Sequence, residues 1–473
     1  MQDAPTTRAT TAEQAVGEPA LRLPAGFRWG AATAAFQIEG ATDAAGRGPS
    51  IWDTFTAEPG RVVDGSNALV AADSFRRFRD DVALLAELGA SDYRFSIAWP
   101  RVQPGGTGPA NAAGLDYYER LVDALAEAGV APLATLYHWD LPQPLEDAGG
   151  WLVRDTAERF AEYVGLVLDR LGDRVGRWIT LNEPAMTTLE GYALGTQAPG
   201  RQLMLGALPT VHHQLLGHGL AVAAIRAAAP SAEVGITNNH TLVVPAGDSP
   251  ADLMAAGAFD LIYNRIFADP VLTGVYPDLT AFGMEEFPGL QAGDLELIAA
   301  PLDFYGVNFY NPTYVAAPAA DSEFAAAGLP FEPVDPPAGT PRTGFDWPIV
   351  PGAFTELLLG LRRDYGDALP PVVITENGAS FVDEVVEASD GGRAVHDAER
   401  IAYLDGHLRA VAAAIGQGVD VRGYFAWSLM DNFEWAQGYT QRFGLVHVDF
   451  ETGERTRKDS FDWYRRVIAA QAG

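Results

Sequence analysis

The chain has no cysteine and a single lysine, Lys458, in 473 residues. The first absence excludes disulfides, thiolate catalysis and Cys-ligated zinc or iron–sulfur centres. The second removes Schiff-base lysines from the interior of the fold. By itself it reads as a codon or solvent bias with no mechanism attached. The eight histidines include no H-E-x-x-H pair, and the adjacent His212 and His213 would diverge on a helix. No metal site is therefore expected. Positive charge is also scarce, with 32 basic residues against 62 acidic ones and a formal charge of −30. So negative a surface repels nucleic acid and anionic membranes and disfavours a polyanionic substrate. No segment is long and apolar enough to span a bilayer. The expected partner is a neutral small molecule, with neither nucleic acid nor membrane. Residues 1–22 are rich in Ala, Thr, Glu and Pro. They lack the charged start and apolar run of a signal peptide. They are read as a flexible tail on a cytoplasmic protein.

What is present is a large apolar fraction, 48%, which allows a sizeable core. The length would suit two or three domains, or one large barrel with long loops. Eight short runs read as buried strands: Phe27–Thr33, Asp92–Ile97, Ala131–Tyr137, Arg177–Leu181, Glu233–Thr237, Leu302–Val307, Pro371–Thr375 and Val421–Ala426. Amphipathic segments alternate with them, among them Ala71–Leu88, Ala112–Ala128, Thr156–Leu171 and Ala398–Ile415. Eight alternations predict an α/β fold, a single (β/α)8 TIM barrel over residues 23–473. The alternative is a doubly wound open sheet. It would want a Gly-rich phosphate turn after the first strand, where Trp29-Gly30-Ala31-Ala32-Thr33 stands instead. Ala316–Arg342, dense in Pro and Ala, is too long for an ordinary connection and is expected to wall a pocket. Asp383–Arg393 reads as another such loop.

The strand ends carry chemistry. Thr180-Leu181-Asn182-Glu183-Pro184 and Ile374-Thr375-Glu376-Asn377-Gly378 each run from apolar or β-branched residues into a glutamate and then a turn-former. Two carboxylates delivered to one barrel rim are the working parts of a glycosidase. The other ends offer Gln37, Arg94, His138 with Trp139, Asn238 with Asn239 and His240, Asn308 with Tyr310, and Trp427. Amides, histidine and carboxylates hydrogen-bond hydroxyls, while tryptophan covers the C–H face of a pyranose. Polar residues also gather wherever strands meet solvent, but eight such ends with Trp among them favour a sugar site.

In these motifs the chain resembles family 1 glycoside hydrolases, the β-glucosidase family. The resemblance rests further on Tyr93-Arg94-Phe95-Ser96-Ile97-Ala98-Trp99, Tyr137-His138-Trp139-Asp140-Leu141-Pro142 and Trp427-Ser428-Leu429-Met430-Asp431-Asn432-Phe433-Glu434-Trp435. It implies a retaining exo-β-glycosidase acting on β-glucosides and cello-oligosaccharides without a cofactor. Glu376 would be the nucleophile and Glu183 the acid/base, with Arg94 and Tyr310 beside the nucleophile. Gln37, His138, Trp139, Asn182, Asn308, Trp427, Glu434, Trp435 and Phe443 would bind the sugar, and Trp347 would wall the leaving-group side. The resemblance also implies a cis Trp427–Ser428 bond. Relatives acting on 6-phosphoglycosides carry Ser at the place of Glu434 and a Lys-x-Tyr where Gln441-Arg442-Phe443 stands, so an unphosphorylated substrate is implied. Dominant β-galactosidase or β-fucosidase activity, or a non-catalytic carbohydrate-binding barrel, are the alternatives.

Overall fold

The computed structural model describes residues 21–388 and 391–471. The expected tail lies outside these residues up to position 20. At Leu21 the chain already packs on the core, and its carbonyl accepts from Gln471 Nε2 at 2.9 Å.

Eight parallel strands close a barrel: β1 Arg28–Ala32, β2 Asp92–Ser96, β3 Ala131–Tyr137, β4 Arg177–Asn182, β5 Glu233–Asn239, β6 Phe304–Asn308, β7 Val372–Asn377 and β8 Val421–Trp427. Each pairs with its neighbours in sequence, and β8 closes on β1. β2, β4 and β7 are buried at every residue. Side chains fill the barrel inside and helices cover it outside, so both faces must be apolar. This is why the strands read as continuous runs rather than alternating ones. The open-sheet alternative is thereby set aside.

Helices make the outer ring. Ser74–Leu88 buries Phe78, Val82, Leu85 and Leu88, one face at helical spacing, and ends at Gly89 with φ 76°. Asp155–Leu171 and Ala398–Gly416 repeat the pattern within a residue of the sequence expectation.

Two loop expectations need correction. Within Ala316–Arg342 the chain forms the short helix Glu323–Ala326 and the strand Glu332–Val334, which joins a small three-stranded sheet with Val243–Pro245 and Thr313–Ala316. The pocket is walled instead by the segment that follows, at Phe345 and Trp347. The described residues of the Asp383–Arg393 segment also miss the pocket. Asp383 turns inward to Arg400 and Lys458, and Val385–Glu387 pairs with Arg393–Val395.

Candidate active site

Both glutamates leave their strands through irregular backbone. The β4–β5 pairing slips between Ile179 and Asn182, and the β7–β6 pairing slips between Ile374 and Glu376. Such irregularities bend a strand and re-aim the side chain that follows. Glu183 then adopts a left-handed conformation, φ 49°, at the head of Pro184–Met186. For a residue with a Cβ that conformation costs roughly 1–2 kcal/mol. Its N–H donates to the Thr237 carbonyl at 2.8 Å, which fixes the turn. After Glu376, a Cβ on Gly378 would lie 1.8 Å from the Trp427 carbonyl oxygen. Glycine is required there for the chain to leave β7 beside β8. The Trp427–Ser428 peptide bond is cis.

Glu183 and Glu376 line one cavity of about 370 Å³, together with His138, Trp139, Tyr310, Trp347, Trp427, Glu434, Trp435 and Phe443. Gln37, Arg94, Asn182 and Asn308 are buried outside this lining and bonded to its members. Gln37 Nε2 donates to Glu434 at 3.2 Å and Asn308 Nδ2 to Glu183 at 2.5 Å. Asn182 Nδ2 meets His138 Nε2 at 3.1 Å. Tyr310 donates its hydroxyl to Glu376 Oε2 at 2.5 Å, and Arg94 Nη1 takes the other oxygen. Arg94 Nη2 also donates to Asn182 Oδ1 at 2.5 Å, which accepts from Asn308 at 3.1 Å. A continuous chain of side chains thus links the two glutamates: Glu376, Arg94, Asn182, Asn308, Glu183. Trp435 forms one aromatic wall, packed on Trp52 and Trp139 with ring centroids 4.5 and 4.6 Å apart.

The electrostatics are unbalanced. Four carboxyls, Glu183, Glu190, Glu376 and Glu434, line the cavity, and Arg94 is the guanidinium bonded to one of them. Burial pushes Glu183 well above the usual carboxylate range, and the charge of Glu376 adds to the shift. Asn308 and Arg94 oppose it. Burial and then Glu376 push Glu434 up to about 8. Glu434 therefore holds its proton more tightly than an ordinary glutamate, a condition that its residue type does not announce. His138 is held well below its ordinary value, by burial first and the Arg94 charge second, and is neutral.

The sequence reading missed two polar members of the cavity lining. Glu190 and Tyr263 join it from the π-helical turns Thr187–Leu194 and Leu261–Arg265. Tyr263 accepts from Asn239 Nδ2 at 2.8 Å. Such turns recur at functional sites but have no pattern distinct from an ordinary helix. Phe345, stacked on Trp347 at 4.4 Å, was legible as its near neighbour in Phe345-Asp346-Trp347-Pro348. Among the described residues, no group of three or more His, Cys, Asp or Glu could hold a metal ion. No helix among them is long and apolar enough to cross a membrane.

The profile of glycosyl hydrolase family 1 matches residues 20–472. The chain belongs to that family. It is an O-glycosyl hydrolase, and double displacement with retention is the family's chemistry. Beta-glucosidase A of Acetivibrio thermocellus is 43% identical over 453 residues, covering 95% of this chain and 98% of that protein. A bifunctional beta-D-glucosidase/beta-D-fucosidase of Bifidobacterium breve is 47% identical over 464 residues, covering 94% of this chain and 98% of its own length. The family 1 β-glucosidase structure from Thermotoga maritima superposes with a TM-score of 0.89 at 40% identity, covering 96% and 99% of the two chains.

Proposed function

We propose that this family 1 hydrolase removes terminal, non-reducing β-D-glucosyl residues from short oligosaccharides and from aryl or alkyl glucosides. Glu376 is assigned as nucleophile and Glu183 as acid/base. The observation that carries the assignment is that two carboxyls in one cavity have opposite surroundings. Both oxygens of Glu376 accept hydrogen bonds, from a guanidinium and a phenol. Glu183 is buried, faces that charge and keeps its proton.

The steps follow from this difference. A Glu376 oxygen bonds to the anomeric carbon as Glu183 gives its proton to the departing glycosidic oxygen. The product is a glycosyl ester and a free alcohol. Ester formation removes the negative charge that helped to raise Glu183, so its affinity for the proton falls. Glu183 then takes a proton from water as the water oxygen bonds to the anomeric carbon and Glu376 leaves. Two inversions give retention. Gln37, His138, Asn182, Trp427, Glu434 and Trp435 hold the sugar, while Trp347 and Phe345 face the leaving group. Gln441 supplies no cation for a 6-phosphate. No metal or organic cofactor takes part.

The Bifidobacterium breve relative, named for both activities, favours β-fucosidase action as a second activity. A carboxyl at Glu434 can serve either epimer at C4. Rates on p-nitrophenyl β-glucoside, fucoside and galactoside rank these substrates. Absence of turnover on all three by folded protein would favour a carbohydrate-binding barrel. The assignment of Glu183 is tested with Glu183→Ala. The variant should still be glycosylated by substrates with good leaving groups, then stall until azide is added and β-glucosyl azide forms. If azide leaves the stalled rate unchanged, Glu183 is not the acid/base.

A further inference from the structure

The only lysine in the sequence is enclosed in the protein. The Lys458 side chain is 0% exposed, and its Nζ donates to Asp383 Oδ2 at 2.5 Å and to Asp431 Oδ1 at 2.7 Å. Neither aspartate depends on the lysine alone. Asp383 also accepts two bonds from Arg400, at 2.9 and 3.1 Å, and Asp431 one from Arg442 at 2.6 Å. Arg400 pairs in turn with Asp397. Three cations and three carboxylates thus make one neutral cluster. A surface lysine could be traded for other polar residues. An ammonium buried between two carboxylates cannot, because removing it leaves the cluster with one uncompensated buried negative charge.

The placement of the two aspartates gives the cluster a bearing on the site. Asp383 lies on the segment that leaves β7 after Glu376, and the same Arg400 reaches back to the Ala379 carbonyl at 3.3 Å. Asp431 lies on the segment after β8, between Trp427 and Glu434, both of which line the cavity. A second strip of chain is zipped to that segment. The Asp431 N–H donates to the Val446 carbonyl at 2.9 Å, Leu445 N–H to Ser428 at 2.9 Å, and Gly444 N–H to Asp431 Oδ1 at 3.0 Å. A Cβ on Gly444 would lie 2.1 Å from the Asp431 nitrogen, so the strips touch. Phe443, next in the strip, lines the cavity. Lys458 joins the zip through its backbone as well, donating its N–H to the Leu445 carbonyl at 3.0 Å.

We infer that Lys458 is a positioning residue for sugar recognition, holding the Trp427–Trp435 segment in register with the nucleophile segment through Asp431 and Asp383. The inference rests on the roles of Glu376 and Glu434 given above. Lys458 touches no substrate. Its effect passes through the placement of Glu434, which in the proposed function accepts from the 4- and 6-hydroxyls, so the loss should fall on those hydroxyls and most clearly on the 6-hydroxyl.

The test compares p-nitrophenyl β-glucoside with the β-xyloside, which lacks the C6 hydroxymethyl group. KM and kcat are measured for the parent protein, Lys458→Met, Lys458→Arg, Glu434→Gln and the Lys458→Met/Glu434→Gln double variant. Lys458→Met should raise KM for the glucoside about tenfold and for the xyloside much less, and the double variant should be little worse than Glu434→Gln alone. Lys458→Arg should recover part of the loss, since it restores the charge. Equal losses on both substrates, or losses that multiply in the double variant, would overturn the inference. A merely stabilising ion pair acts evenly on both. If Lys458→Met does not fold, Asp431→Asn carries the same comparison. A selective glucoside defect there upholds the inference, and parent-like kinetics overturn it. If Glu434→Gln alone fails to distinguish the two sugars, the role of Glu434 falls and the inference with it, and the single variant shows this by itself.

Discussion

Two groups of buried charge share the same pair of loops and follow opposite rules. The segment after β8 gives Asp431 to one and Glu434 to the other. The segment around the end of β7 gives Asp383 to one and Glu376 to the other. In the Lys458 cluster every carboxylate has at least one cation within bonding distance. Lys458 and Arg442 hold Asp431 below its ordinary range against the pull of burial. Three residues on, Glu434 is pushed up to about 8 by burial and by Glu376. Burial acts on both acids; what separates them is the supply of countercharge, two cations at Asp431 and none bonded to Glu434. The balanced cluster fixes position, while the cavity, short of cations, keeps a proton available to give.

The largest break in this contrast comes at the nucleophile. Glu376→Gln should lower kcat/KM on p-nitrophenyl β-glucoside by about 10⁴-fold or more, because no other group lies where the covalent bond forms. A folded variant with near-parent turnover would remove Glu376 from the mechanism. Tyr310→Phe should cost less, roughly 10²-fold in kcat with KM little changed, if its hydroxyl matters while charge moves on Glu376. An unchanged kcat would reduce that 2.5 Å contact to packing.

The smallest effect is on stability, and it sharpens the comparison. Glu434 titrates at about 8 in the folded protein against an ordinary 4.5. Between those values the folded chain keeps a proton that the unfolded chain has lost. Stability from this group is complete below about pH 4.5, falls as pH rises and levels off above about pH 8. Glu434→Gln has no proton to keep. Its Tm relative to the parent should therefore climb across that window, by a few degrees at most for a chain of this size. A Tm difference that is flat with pH would mean that Glu434 is ionised throughout.

Much of this molecule was legible in the sequence. The eight strands were found to within a few residues, because burial on both faces leaves dense apolar runs. Both glutamates were found because a strand must end at the rim where it delivers its side chain. Arg94 was read at a strand end, while Trp347 and Trp435 came through the family resemblance. The rest was hidden for physical reasons. Lys458 looked like a compositional accident because its partners, Asp383 and Asp431, lie 75 and 27 residues away along the chain. No local pattern marks a pairing made only in three dimensions. Glu190 and Tyr263 were passed over because a π-turn changes which side chain faces the cavity without changing the residue types. Ala316–Arg342 was assigned to the pocket on length and composition alone. Its short strand found an edge to pair with, and the next segment took the wall.

The enclosure of Lys458 has a practical side. Reagents that seek lysine amines meet none on the surface, and the sequence carries no thiol. Dyes, beads and crosslinkers that rely on either will leave the folded side chains untouched. A single cysteine introduced on an outer helix would be the sole thiol in the molecule, giving one attachment point of chosen orientation with the cavity left open.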